Sequence, residues 1–311
     1  MKVGLVWDQR YTDHKGPSHV ERPARVRAIR KAIEEAGLWD ILVHVEPRPA
    51  DEASLLRVHS AEHIADVRRS AAETGVTWLD GDTYACKETY ETALLAAGGV
   101  CAAVDAVAKG EVRSAFCAVR PPGHHATRDR AMGFCLFNNV AVATRYVQAV
   151  HGVRRVLIVD WDVHHGNGTQ DTFYRDPDVV YISTHQSPFY PGTGSADEKG
   201  EGPGAGHIHN FPLKRGSGDK EFLAALAEGL KAAEPFKPEF IFISCGFDAH
   251  AGDPIGGLSL TDHAYAEATR RVRALADRTA SGRIVSVLEG GYDLDTLGHA
   301  AVAHLRALMA D

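Results

Sequence analysis

V-L-I-V-D-W-D-V-H-H-G-N-G-T, residues 156–169, is the stretch on which the reading of this chain turns. It begins as an unbroken apolar run, the mark of a strand buried on both faces of a parallel sheet. It then changes abruptly to acid and imidazole. Side chains alternate along a strand, so Asp160, Asp162 and His164 point to one side as far as the extended geometry persists. Asp162 and His164 supply a hard oxygen and an imidazole nitrogen, a donor pair suited to a divalent metal such as zinc. Gly166 and Gly168 then let the backbone turn. In open α/β sheets ligands bind beyond the carboxyl ends of the strands, where these residues fall. An isolated D-x-H is more often a salt-bridged surface loop, so the surroundings have to decide.

Two other apolar runs end the same way. A strand over 115–119 leads into R-P-P-G-H-H-A, with His124 and His125, and one over 240–244 leads to Asp248. On its own Asp248 reads equally well as a turn cap. Beside Asp162 and His164 it completes a three-ligand set with open positions, as a catalytic metal requires. Further strands are expected over 2–8, 179–183 and 284–288, with an edge strand over 208–213. Helices are expected over 21–35, 60–72, 87–109, 137–150, 219–233, 262–279 and 293–309. This alternation indicates a parallel sheet with helices on both faces. No low-complexity linker or repeat divides residues 1–311, so one domain is expected. Gly98–Gly99 implies a close neighbour or a weak point in its helix. The loop over 187–206, dense in Gly and Pro, is long enough to be functional.

The chain has 311 residues, 44% hydrophobic and 24% charged, with a formal net charge of -7. That balance argues against nucleic acid as the main partner. Five cysteines without a C-x-x-C pair suggest reduced thiols in a cytoplasm. Met1 runs straight into a strand-like segment without a signal-peptide pattern. No apolar run is expected to approach the 18 residues of a membrane span. With 17 histidines, position rather than presence has to carry any argument.

Six segments, in order along most of the chain, resemble a class II histone deacetylase or a related bacterial amidohydrolase. They are R-P-P-G-H-H-A (120–126), G-F-C-L-F-N-N (133–139), D-W-D-V-H-H-G-N-G-T-Q (160–170), P-G-T-G (191–194), S-C-G-F-D-A-H (244–250) and E-G-G-Y (289–292). The resemblance implies the arginase-like α/β fold with an eight-stranded parallel sheet, and hydrolysis of an N-acyl amine, typically acetyl-lysine. It implies metal ligands at Asp162, His164 and Asp248, tandem histidines at His124 and His125, and a catalytic tyrosine at Tyr292. Asp160 matches the carboxylate behind the first histidine, and Asn167 the class II residue behind the second. Phe134 and Tyr190 match the aromatic pair lining the acyl-lysine tunnel, with tyrosine where phenylalanine is common. A structural potassium ion is implied at backbone oxygens of Asp160, Asp162, His164 and Thr184 and side chains of Asp160 and Ser183. A second is implied at Phe173, Asp176, Val179 and His207.

The chemistry also follows from the residue types. Zinc brings the pKa of bound water to roughly 7 and polarises an acyl oxygen. A histidine must then accept a proton and later protonate the leaving amine. His125, backed by neutral Asn167, should hold a proton less tightly than His124 backed by Asp160, so His125 is read as the base and then the acid. Tyr292, after Gly290–Gly291, is read as an oxyanion donor. Gly133 and Phe134 form one tunnel wall, and Asp82 stands at the rim to hold a substrate backbone or a cationic amine, although acidic loops are mostly just solvated. His19 and Arg22 either border the site or are ordinary surface residues. An acetylpolyamine or other small N-acyl amine is the alternative substrate. A catalytically silent acyl-binding module lacks a reason to keep Tyr292, both histidines and all three ligands. The same ligands hold ferrous iron, and the 187–206 loop leaves an oligomer open.

Overall fold

A computed structural model describes residues 2–310; Met1 and Asp311 lie outside them. The chain runs β1 (Val3–Val6), α1 (Ala24–Glu35), β2 (Val43–His44), α2 (Glu52–Leu55), α3 (Ala61–Ala72), β3 (Thr77–Trp78), β4 (Tyr84–Ala85), α4 (Thr89–Ala108), β5 (Ser114–Cys117) and α5 (Asn139–His151). It continues through β6 (Val156–Asp160), α6 (Asn167–Phe173), β7 (Val179–Gln186), β8 (Ile208–Leu213), α7 (Asp219–Ala233), β9 (Phe240–Cys245), α8 (Asp262–Thr279), β10 (Ile284–Leu288) and α9 (Leu294–Met309). Eight strands form one sheet in the order β2-β1-β5-β10-β9-β6-β7-β8, and every pairing within it is parallel. β3 and β4 make a separate antiparallel ribbon.

Sheet position explains strand composition. β5, β6, β9 and β10 lie inside the sheet and are buried along their whole length, so β6 and β9 open on unbroken apolar runs and β5 and β10 are apolar but for one serine each. β8, at an edge, alternates between buried and partly exposed residues. α1, α9, α8 and α7 pack side by side as one helical layer, while α4 and α5 pack together in the other. Helix starts follow local chemistry. Ser60 accepts the N–H of His63 and caps α3, Asp293 accepts that of Thr296 and caps α9, and Asn138 accepts that of Ala141 and caps α5.

α4 forms where a long helix is expected and is, by length and composition only, long and apolar enough to cross a membrane. Within the fold, 78% of its most apolar window is buried. It is the helix laid across β5, β1 and β10, so it is apolar nearly all round. Gly98 and Gly99 let the segment over 47–50 and Tyr11 lie close against it. A Cβ on Gly98 would run into the Arg48 carbonyl, and one on Gly99 into the Tyr11 hydroxyl.

The carboxyl ends of the central strands share a polar row. Asp160 of β6 sits in register with Ser183 of β7 on one side and Ser244 of β9 on the other. The site is built immediately beyond it.

Candidate active site

The extended geometry ends at Asp160, and the chain bends repeatedly from Asp162 to His164. Asp160 Oδ1 accepts the N–H of Asp162 at 3.2 Å. Its Oδ2 meets Nδ1 of His124 at 3.0 Å and accepts the hydroxyl of Tyr181 at 2.9 Å. Asp162 and His164 instead converge with Asp248, their ligand atoms all within 4.8 Å of one another and all three residues buried. His164 Nδ1 lies 3.0 Å from Asp162 Oδ1 and 3.2 Å from Asp248 Oδ2. The outer oxygens are held by backbone: Asp162 Oδ2 accepts the N–H of Gly290 at 2.7 Å, and Asp248 Oδ1 that of Val163 at 2.9 Å.

These residues fit a divalent cation. Asp248 Oδ2 is buried, faces the cluster and has no hydrogen-bond partner. Two carboxylate oxygens and an imidazole nitrogen are also a donor set for zinc or ferrous iron. Burial and the repulsion of Asp162 push the Asp248 carboxyl up to about 7. Asp162 is held well below the usual range, since His124 and His164 outweigh its burial. His164 is raised to about 9 against its burial by Asp162 and Asp248. A cation would replace the proton that this arrangement attracts.

The two histidines sit beside the cluster with ring centroids 4.0 Å apart. His125 Nδ1 donates to Asn167 Oδ1 at 2.8 Å, which leaves its Nε2 as the free basic nitrogen. Asn167 is held in turn, its amide donating to the His125 carbonyl and to Met132 sulfur. Burial and the positive neighbours His124 and His164 push His125 well below the ordinary histidine value. Burial acts on His124 in the same direction, but Asp162 and Asp160 overcome it and raise His124 to about 10.

A cavity of about 190 Å³ opens onto these groups, lined by His124, His125, His164, Gly133, Phe134 and Tyr292 among others. Phe134 and Tyr190 both line it, Tyr190 standing edge-on to the His125 ring at 5.1 Å. Asp82 also lines it, its carboxyl raised by burial and by Asp80. Thr83 ties that acidic hairpin to the wall, donating to Asp82 and accepting the N–H of Phe134. His19 packs edge-on against Phe134 at 4.7 Å, so it borders the wall. Arg22 is exposed and does not line the cavity.

Several contributors lay outside the sequence reading. Phe189 stacks on the His164 ring at 5.0 Å, one residue before the expected Tyr190. Arg25, fully buried, lies over the Tyr292 ring at 4.8 Å, donates to the Gly291 and Glu289 carbonyls and pairs with Glu21. Asp253 accepts the N–H of Tyr292 at 2.7 Å. Glu289 is buried among the loops, though it was in view as the first letter of E-G-G-Y. Nothing in the local pattern around Arg25 or Asp253 marks them out, since a first-turn arginine and a G-D-P turn are ordinary surface features.

Of the expected potassium ligands, Asp160 and Ser183 are adjacent, and Ser183 Oγ is 2.9 Å from His185 Nδ1. The Thr184 hydroxyl and His207 Nδ1 are buried without hydrogen-bond partners. Asp176 is engaged by Arg145. All five cysteines are free and buried.

Comparison with known proteins agrees in one direction. The histone deacetylase domain family matches residues 19–308. A probable deacetylase of Archaeoglobus fulgidus is 40% identical over 299 residues, covering 95% of this chain and 82% of that protein. The chloroplastic histone deacetylase 10 of Oryza sativa subsp. japonica is 40% identical, covering 96% of this chain and 71% of that protein. The crystal structure of the HDA15 HD domain superposes with a TM-score of 0.93 at 38% identity, covering 99% of this chain and 89% of that one.

Proposed function

The chain belongs to the histone deacetylase family, and on that premise we propose that it is a zinc-dependent amidohydrolase that removes acetyl groups from acetyl-lysine-type amines and releases acetate. One juxtaposition carries the reading. His164, of a three-ligand cluster with an orphaned carboxylate oxygen, lines the same narrow cavity as His124, His125 and Tyr292. When bound, zinc supplies Lewis acidity, polarising the acyl oxygen and bringing the pKa of water to roughly 7. Ferrous iron suits the same donors.

The chain's own groups do the rest. Gly133, Phe134, Phe189 and Tyr190 confine an extended acyl-amine chain and exclude water from it. His125, neutral and with Nδ1 committed to Asn167, takes the proton of the attacking water at Nε2 and returns it to the leaving amine. His124 stays protonated between Asp160 and Asp162 and contributes positive charge. The Tyr292 hydroxyl donates to the developing oxyanion. Asp82 receives substrate at the rim. A structural potassium ion at the backbone oxygens of Asp160, Asp162, His164 and Thr184 and the side chains of Asp160 and Ser183 belongs to the same reading, supported by the adjacency of Asp160 and Ser183 in the sheet. A reducing cytoplasm fits five free thiols.

Asp82 beside Asp80 favours one second reading, a small cationic substrate such as an acetylated polyamine. A turnover screen over acetyl-lysine peptides, acetylated polyamines and longer acyl-lysines, with metal analysis of the same sample, separates the two. Activity that follows bound metal and disappears with chelator is the expected result. A metal-free sample working at full rate would end the proposal.

A further inference from the structure

Each residue of the E-G-G-Y segment is bonded to a different part of the site. The Gly290 N–H goes to Asp162, the Gly291 carbonyl accepts from Arg25, and the Tyr292 N–H goes to Asp253. Glu289 makes the widest span. Its side chain is fully buried. Oε2 accepts the backbone N–H groups of Gly123 at 2.7 Å and His124 at 3.1 Å, and Oε1 accepts the Ser244 hydroxyl at 3.1 Å. One carboxylate thus joins the turn carrying both histidines, the end of β9 leading to Asp248, and the end of β10 leading to Tyr292.

That turn has little freedom to compensate. A Cβ on Gly123 would press into the backbone of Asn139. Buried N–H groups left without an acceptor are costly, so the turn settles where the carboxylate is.

We infer that Glu289 is a positioning residue for the histidine pair, fixing the turn that carries His124 and His125 relative to the strand ends that carry Asp248 and Tyr292. The inference rests on the proton-transfer role proposed for those histidines, but its mechanical content is independent of turnover.

The test compares Glu289→Ala and Glu289→Gln with the unaltered protein by kcat and KM on an acetyl-lysine peptide and by ring-nitrogen NMR of His124 and His125. An amide keeps an oxygen for both N–H groups and an NH2 to donate to Ser244, so Gln preserves the clasp. Ala removes it. Displacing a reacting group by about 1 Å costs on the order of a hundredfold, so Glu289→Ala should lose about that in kcat with KM within about threefold. Glu289→Gln should recover kcat to within about tenfold. The ring signals of both histidines should move in the Ala variant and stay near their original positions in the Gln variant, whatever the substrate. Should Glu289→Ala not fold, Glu289→Asp, one methylene too short to reach both N–H groups, takes its place with the same expectation. Unchanged kcat and ring signals in the Ala or Asp variant would overturn the inference, as would a Gln variant as impaired as the Ala one. An unaltered protein without turnover, yet with ring signals that respond as described, would sink the proposed function and leave the positioning role standing.

Discussion

His124 and His125 are adjacent in the chain, equally buried and tilted against each other with ring centroids 4.0 Å apart, yet their surroundings push them in opposite directions. Behind one is a carboxylate, behind the other an amide. Burial disfavours the charged form of both, so the difference comes from the neighbouring charges, acidic around His124 and largely cationic around His125. The pair shows that residue type and depth do not set protonation. The charges around the ring do: Asp162 and Asp160 outweigh burial at His124, while the positive neighbours His124 and His164 add to burial at His125, so one ring is held protonated and the other neutral.

The contrast can be broken most directly by removing one ring at a time. His125→Ala should cost about 10²–10⁴-fold in kcat/KM, and more than His124→Ala, when both are assayed on the same acetyl-lysine peptide. Equal losses would erase the division of labour. Tyr292→Phe, which leaves both dyads in place, should cost about 10²–10³-fold while metal content by mass spectrometry stays at the wild-type level. Asp160→Asn gives both histidines an amide. Losing a hydrogen bond to a charged group, about 1.5–3 kcal/mol, should slow turnover about ten- to a hundredfold, with the His124 ring nitrogens shifting toward the neutral pattern.

The smallest change sharpens the contrast. Asn167→Asp puts a carboxylate behind His125, which favours its charged form and raises its pKa. The base is active when neutral, so the acidic limb of the kcat/KM profile should move to higher pH, by on the order of one unit, with the rate above that limb nearly kept. A limb that stays in place would mean that it reports another group.

Much of this was legible because the sheet is parallel and covered. Strands such as β6 and β9 carry uninterrupted apolar runs, and polar residues appear abruptly where those strands end, which located Asp162, His164 and Asp248. α7 and α8 have the bounds their periodicity implies. β2, β3 and β4 are two residues each, too short for any period to register. α4 was legible as a long helix, expected over 87–109 and found at Thr89–Ala108, although burial on nearly all sides leaves it without a polar face. Arg25 and Asp253 escaped for a different reason. Their partners lie 266 and 39 residues away, so only the folded chain reveals that a helix-start arginine supports the Tyr292 ring.

Gly133 has a consequence of its own. It holds a left-handed φ of +57° with its Cα hydrogen against the His125 imidazole, where a methyl would overlap the ring. Bore and base therefore share one contact surface on that side, and neither can be altered without disturbing the other. A change in the girth of the chain accepted is therefore to be sought at lining residues that do not pack on that ring, Phe189 and Ile255, which makes those two the positions for a selectivity library.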